Sequence, residues 1–100
     1  MKLQNEFEPI RVWAETRGIF LKGDLKTQCI KFYEEAGELS KAILENNTPE
    51  IVDAIGDCVV VLTNLARLHG FKIEECINSA YVEIIKRTGK MENGTFIKDK

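Results

Sequence analysis

The sequence predicts an all-α protein, an antiparallel bundle of four helices forming one domain over residues 1–100. Three observations carry that prediction. Apolar residues recur at alternating steps of three and four along four separate segments, the spacing of one helix face. Glycines, an Asn-Asn pair and a Thr-Pro pair divide the segments where helices stop and start. The one β-branched run, Cys58-Val59-Val60-Val61-Leu62, has no second run to pair with as a strand.

The first segment holds Leu3, Phe7, Ile10 and Ala14, with Trp13 beside them. Pro9 suits a first helical turn, and Gly18 after Arg17 suits the residue just past a helix end. Residues 19–23 then read as a connection. Asp24 can cap a second helix over residues 25–45, whose apolar stripe is Leu25, Cys29, Phe32, Ala36, Leu39 and Ile43. Asn46-Asn47 breaks it, and Thr48-Pro49-Glu50 opens a third: Thr as cap, Pro in the first turn, Glu at the positive end of the dipole. That helix extends to about Leu68 and closes at Gly70; being apolar all round at residues 58–62, it belongs in the middle of the bundle. Ile73, Ile77, Ala80 and Ile84 mark a fourth helix ending near Arg87, with Gly89 as its stop and an irregular tail over residues 89–100 that turns at Asn93-Gly94. The short connections make neighbouring helices antiparallel.

Composition narrows the chemistry. With 44% hydrophobic residues the chain can bury a core, though a small one, which favours association with copies of itself. A net charge of -2 gives no basic excess for a nucleic-acid polymer. The longest apolar run is far too short to cross a membrane, and residues 1–8 are too charged for a signal peptide. Cys29, Cys58 and Cys76 are odd in number, far apart and set in apolar patterns, so they read as buried hydrophobes of a cytoplasmic protein. His69 is the only histidine, which removes most zinc and histidine-base mechanisms.

What remains is carboxylate chemistry. On the second helix Gln28, Lys31, Glu35 and Glu38 form a stripe beside the apolar seam, with Glu34 pointing about 100° from Glu35. On the third, Glu50, Asp53, Asp57 and Asn64 lie within about 60° of one another. The helix dipole accounts for Glu50 and tolerably for Asp53, but Asp57 lies more than two turns in, where Asp is a poor helix former. Folding the two helices back on each other brings Glu38 near the level of Asp57, with Glu35 deeper, so that Glu35, Glu38, Asp53 and Asp57 converge. Such a cluster repels itself unless it holds a hard cation such as Mg²⁺, which keeps open positions for phosphate.

These residues resemble a family. Glu34-Glu35-Ala36-Gly37-Glu38 followed by Asp53-Ala54-Ile55-Gly56-Asp57 is similar to the MazG-type all-α nucleoside triphosphate pyrophosphohydrolases, above all the short single-domain forms of phages and Gram-positive bacteria. The likeness extends from Trp13 and Arg17-Gly18-Ile19 to Ile84, Arg87, Gly89-Lys90-Met91, Asn93-Gly94, Phe96 and Lys98. It implies Mg²⁺, with Mn²⁺ able to replace it, held by Glu35, Glu38 and Asp57, with Glu34 in the catalytic set. It also implies a dimer or tetramer. The family's second motif is ExxD ending at Asp57, and its Glu position here is Ala54; Asp53 can serve the same face, with Glu50 outside it.

The implied reaction is cleavage of a nucleoside triphosphate between the α and β phosphates, for sanitation or control of the nucleotide pool. Glu34 or Glu38 is then the acceptor of the water's proton. Lys31 either meets a phosphate oxygen or offsets Glu35, Asn64 either holds base or sugar or makes an interior hydrogen bond, and Arg87 and Lys98 reach the triphosphate or are ordinary surface charges. Trp13 is expected in the core. Two other readings compete: a non-catalytic helical interaction module with a vestigial or structural metal site, and the related phosphoribosyl-ATP pyrophosphohydrolase activity.

Overall fold

The computed structural model describes residues 6–100, so Leu3 of the first apolar series lies outside the described residues. Five helices follow in order, α1 (Phe7–Thr16), α2 (Ile19–Lys22), α3 (Leu25–Leu44), α4 (Thr48–Leu68) and α5 (Ile73–Ile84), then a hairpin of β1 (Gly89–Glu92) and β2 (Thr95–Lys98). The all-α architecture holds. None of the described helices is long and apolar enough to cross a membrane.

Local chemistry explains the boundaries. Gly18 takes φ 80°, a left-handed turn natural to glycine, and the expected connection after it winds into the single turn of α2. Asp24 caps α3 by accepting from the Thr27 amide at 2.9 Å and the Thr27 hydroxyl at 2.8 Å, which lowers its carboxyl pKa. The cap of α4 is Asn47 rather than Thr48: with Asn46 left-handed at φ 54°, the chain reverses one residue early and the Asn47 side chain reaches the Glu50 amide at 3.3 Å. The β-branched run stays helical inside α4, and α4 is the hub, packed along α3 and touching α1, α2 and α5. A bidentate ion pair from Arg11 of α1 to Glu74 of α5, at 2.6 and 2.8 Å, ties two of the surrounding helices together.

The expected irregular tail is a hairpin. Asn93 and Gly94 have φ 49° and 82°, the type I′ turn whose twist matches two antiparallel strands, and Gly89 pairs with Lys98, Lys90 with Ile97, Met91 with Phe96 and Glu92 with Thr95. Strands of four residues are too short to show as a periodic pattern in sequence.

The core is narrow. Its fully buried apolar residues are Ala14, Ala42, Ala54, Val61 and Ala66, joined by Thr63. Alanines let α3 and α4 approach closely but bury little area. The stripe expected to be the buried seam of α3 is not: Leu25 and Ile43 are exposed and Phe32 and Leu39 half-buried, because α3 turns Glu35 and Ala42 to the interior instead. The expected core positions Ile77 and Ile84 of α5 are likewise exposed. Cys29 and Cys76 follow their stripes outward and are exposed, and only Cys58 is half-buried, so the cysteines are not the buried hydrophobes expected. The radius of gyration is 16.0 Å, against about 13 Å for a compact chain of this length.

Candidate metal centre

Glu35 and Glu38 stand one turn apart on α3, and Asp57 stands on the antiparallel α4 facing them. One carboxylate oxygen from each lies within 4.8 Å of the other two, the single such cluster of three among the described residues. Burial grades across it: Glu35 is 6% exposed, Asp57 half-buried and Glu38 open to solvent. The cluster therefore has a floor and a mouth. Glu35 Oε1 accepts from Lys31 Nζ at 3.2 Å, while the buried Oε2 has no hydrogen-bond partner. A buried carboxylate oxygen left unpaired costs on the order of 1–3 kcal/mol, and a hard cation is the group that would satisfy it along with its two neighbours.

The electrostatics agree. Asp57 has its carboxyl pKa raised, first by burial, then by the charges of Asp53 and Glu35. The Cys58 thiol is pushed up mainly by burial, with Glu35 and Asp57 adding to it. The Lys31 pKa is raised as well, but because its charged form is favoured: its ammonium is stabilised by its bond to Glu35.

The remaining expected site residues divide. Asp53 is exposed one turn before Asp57; it presses on Asp57 electrostatically but is not in the three-carboxylate cluster. Glu34 lies outside it too, 3.9 Å from Lys31. Lys31 sits against the floor through Glu35. Asn64 is 3% exposed and its Oδ1 has no hydrogen-bond partner. Arg87 follows α5 and lines a groove with Phe71, Cys76 and Ile84, and Lys98 ends β2; neither makes an ion pair with the cluster.

One part of the site was not legible in the sequence. A pocket of about 370 Å³ opens against Asp57, walled by Pro9, Ile10 and Trp13 of α1 and Val60 of α4, with Glu6 at its edge. Trp13 is thus not core: it is 45% exposed, with the Arg17 guanidinium 4.6 Å from its ring centre. Nothing in the spacing of Trp13 could announce an Asp57 forty-four residues away.

The cluster lies within residues 25–91, which in comparison with known proteins match the MazG nucleotide pyrophosphohydrolase domain. The chain belongs to the MazG family. The match spans α3, α4 and α5 and stops inside the hairpin. A protein of Haemophilus phage HP1 (strain HP1c1), described as an uncharacterized 18.2 kDa protein in the rep-hol intergenic region, is 40% identical over 65 residues, 65% of this chain. The chain spans 40% of that relative's length. No solved structure matches it. Ala54, where the resemblance puts the Glu of the second motif, is buried on α4 at 4% exposure, three residues before Asp57.

Proposed function

We propose that this MazG-family chain hydrolyses a nucleoside triphosphate between its α and β phosphates, water and triphosphate giving a monophosphate and pyrophosphate. The reading rests on one observation above the others: the carboxylates of Glu35, Glu38 and Asp57 converge, and Glu35 among them carries a buried, unpartnered oxygen. Three hard oxygen donors with a solvent-facing mouth fit Mg²⁺, or Mn²⁺ in its place, since such an ion takes few protein ligands and leaves positions for phosphate. Bound there, the ion would neutralise phosphate charge and make water a better nucleophile.

The chain's own residues do the rest. Glu35 and Asp57 form the fixed part of the site because burial holds them; Glu38, at the open edge, is free to accept a proton from water as the phosphoanhydride breaks. Lys31 can exchange its bond to Glu35 for a phosphate oxygen. The pocket of Ile10, Trp13 and Val60 beside Asp57 suits the nucleoside, an apolar wall with an aromatic ring next to a charged phosphate site.

Pyrophosphate release from a panel of ribo- and deoxynucleoside triphosphates, with Mg²⁺ and with chelator, tests this. Release is expected only with Mg²⁺, and Glu38→Gln should abolish it while helical circular dichroism is unchanged. Full activity in chelator or in Glu38→Gln would remove the cluster from the reaction.

A further inference from the structure

α1 walls the pocket beside Asp57 with Pro9, Ile10 and Trp13, yet of its apolar side chains only Ala14 is fully buried. An alanine buries little area, so it seats the helix without fixing how the helix is rolled about its own axis. The other buried residue of α1 is charged. Arg11 is 6% exposed, and its guanidinium donates to both carboxylate oxygens of Glu74, at 2.6 and 2.8 Å. Such a two-pronged bond fixes direction as well as distance. Glu74 is itself well placed, in the first turn of α5 where the helix dipole favours a negative charge.

The ion pair and the pocket wall use different sides of one helix. Arg11 lies about 100° from Ile10 and about 160° from Trp13 around α1, with Ala14 between Ile10 and Arg11. A roll of α1 about Ala14 therefore moves the guanidinium and the Trp13 ring together. Glu8 also accepts from Arg11, at 3.1 Å, but that bond lies within α1 and cannot set the roll. Glu74, on α5, refers α1 to the rest of the fold.

We propose that Arg11 and Glu74 are a positioning pair for nucleoside recognition: their ion pair fixes the roll of α1 and so holds the Ile10–Trp13 wall of the pocket beside Asp57. The proposal rests on the reading of that pocket as the nucleoside site. It makes Glu74, which belongs to neither the pocket lining nor the carboxylate cluster, a determinant of how tightly the nucleoside is held. The effect falls on binding rather than on bond cleavage, because Glu35, Glu38 and Asp57 sit on α3 and α4.

Trp13 is the one tryptophan of the chain, so its fluorescence reports the wall directly. The experiment compares wild type, Glu74→Gln, Glu74→Asp and Glu8→Gln by acrylamide quenching of Trp13 without nucleotide, and by KM and kcat for a nucleoside triphosphate. Glu74→Gln should change the quenching and raise KM about tenfold, the scale of a lost aromatic contact, with kcat within about twofold. Glu74→Asp keeps the charge but draws the carboxylate back by one methylene. It should give a smaller change of the same kind, a result that stands even if Glu74→Gln unfolds. Glu8→Gln should match the wild type in both readouts. A merely destabilised protein has less active enzyme, which lowers apparent kcat without moving KM, so a fall in kcat at unchanged KM overturns the proposal. So does Trp13 quenching that matches the wild type in both Glu74 variants while the wild type binds and cleaves the triphosphate. A triphosphate that leaves wild-type Trp13 fluorescence unchanged removes the nucleoside pocket itself, and the positioning role with it.

Discussion

Asp57→Asn offers the sharpest test of the acidic cluster, because its effect on stability has a sign opposite to that of most buried polar substitutions. At a separation of 4.8 Å two carboxylates repel by about 1 kcal/mol in bulk water and about 3.5 kcal/mol at an effective dielectric of about 20. Asp57 faces the buried Glu35 and the open Glu38, with Asp53 adding at longer range. Burial and these neighbouring charges raise the Asp57 carboxyl pKa above its ordinary value, the direction that such crowding produces. A net gain of about 1–2 kcal/mol for Asp57→Asn in chelator is therefore expected, a Tm rise of about 5–15 °C for a chain of this size. A carboxyl whose folded pKa lies above its unfolded one destabilises the fold fully above the folded value and not at all below the unfolded one. The advantage of Asp57→Asn must accordingly shrink as pH falls through the folded pKa of Asp57. Mg²⁺ should raise the wild-type Tm and leave that of the variant nearly unmoved. Thermal melts in chelator and across a Mg²⁺ series, at one protein concentration, measure all of this. A variant that melts lower than the wild type in chelator, or that keeps the full Mg²⁺ shift, refutes the convergent cluster.

Other expectations can be checked with the same samples. Asp53→Asn should reduce pyrophosphate release more than Glu50→Gln, since Asp53 acts on Asp57 while Glu50 lies at the α4 entrance; steady-state rates rank them, and the reverse order would relocate the second acidic motif. Ala54→Glu adds a carboxylate to α4 three residues before Asp57, so it should lower the Tm in chelator and enlarge the rise produced by Mg²⁺; an unchanged Mg²⁺ response would show that position 54 does not reach the cluster. Glu74→Gln leaves the buried Arg11 guanidinium with Glu8 alone and should cost about 2 kcal/mol in denaturant melts. The Arg11 hydrogen bonds hold the Glu74 carboxyl down at about 2 from an ordinary 4.5, so the pair's stabilisation is present above pH 4.5 and fades as pH falls towards 2. In Glu74→Gln that acid-limb slope should flatten.

Much of this protein was set by local sequence alone. Helix periods, the Asp24 cap, the Thr48-Pro49 start and the Asn93-Gly94 turn each act within a few residues, so the helices and their order could be read directly from them. The pairing of Glu35 and Glu38 with Asp57 was legible too, because a short connection forces α3 and α4 antiparallel and places those residues at one level. Which stripe of α3 turns inward was not. Periodicity marks an apolar face but does not say which neighbour covers it, and here alanines and Glu35 face α4 while Leu25, Phe32 and Ile43 stay partly open. The pocket joining Trp13 to Asp57 and the Arg11–Glu74 pair are contacts between distant segments, and only the packing of α1 and α5 around α4 brings their residues together.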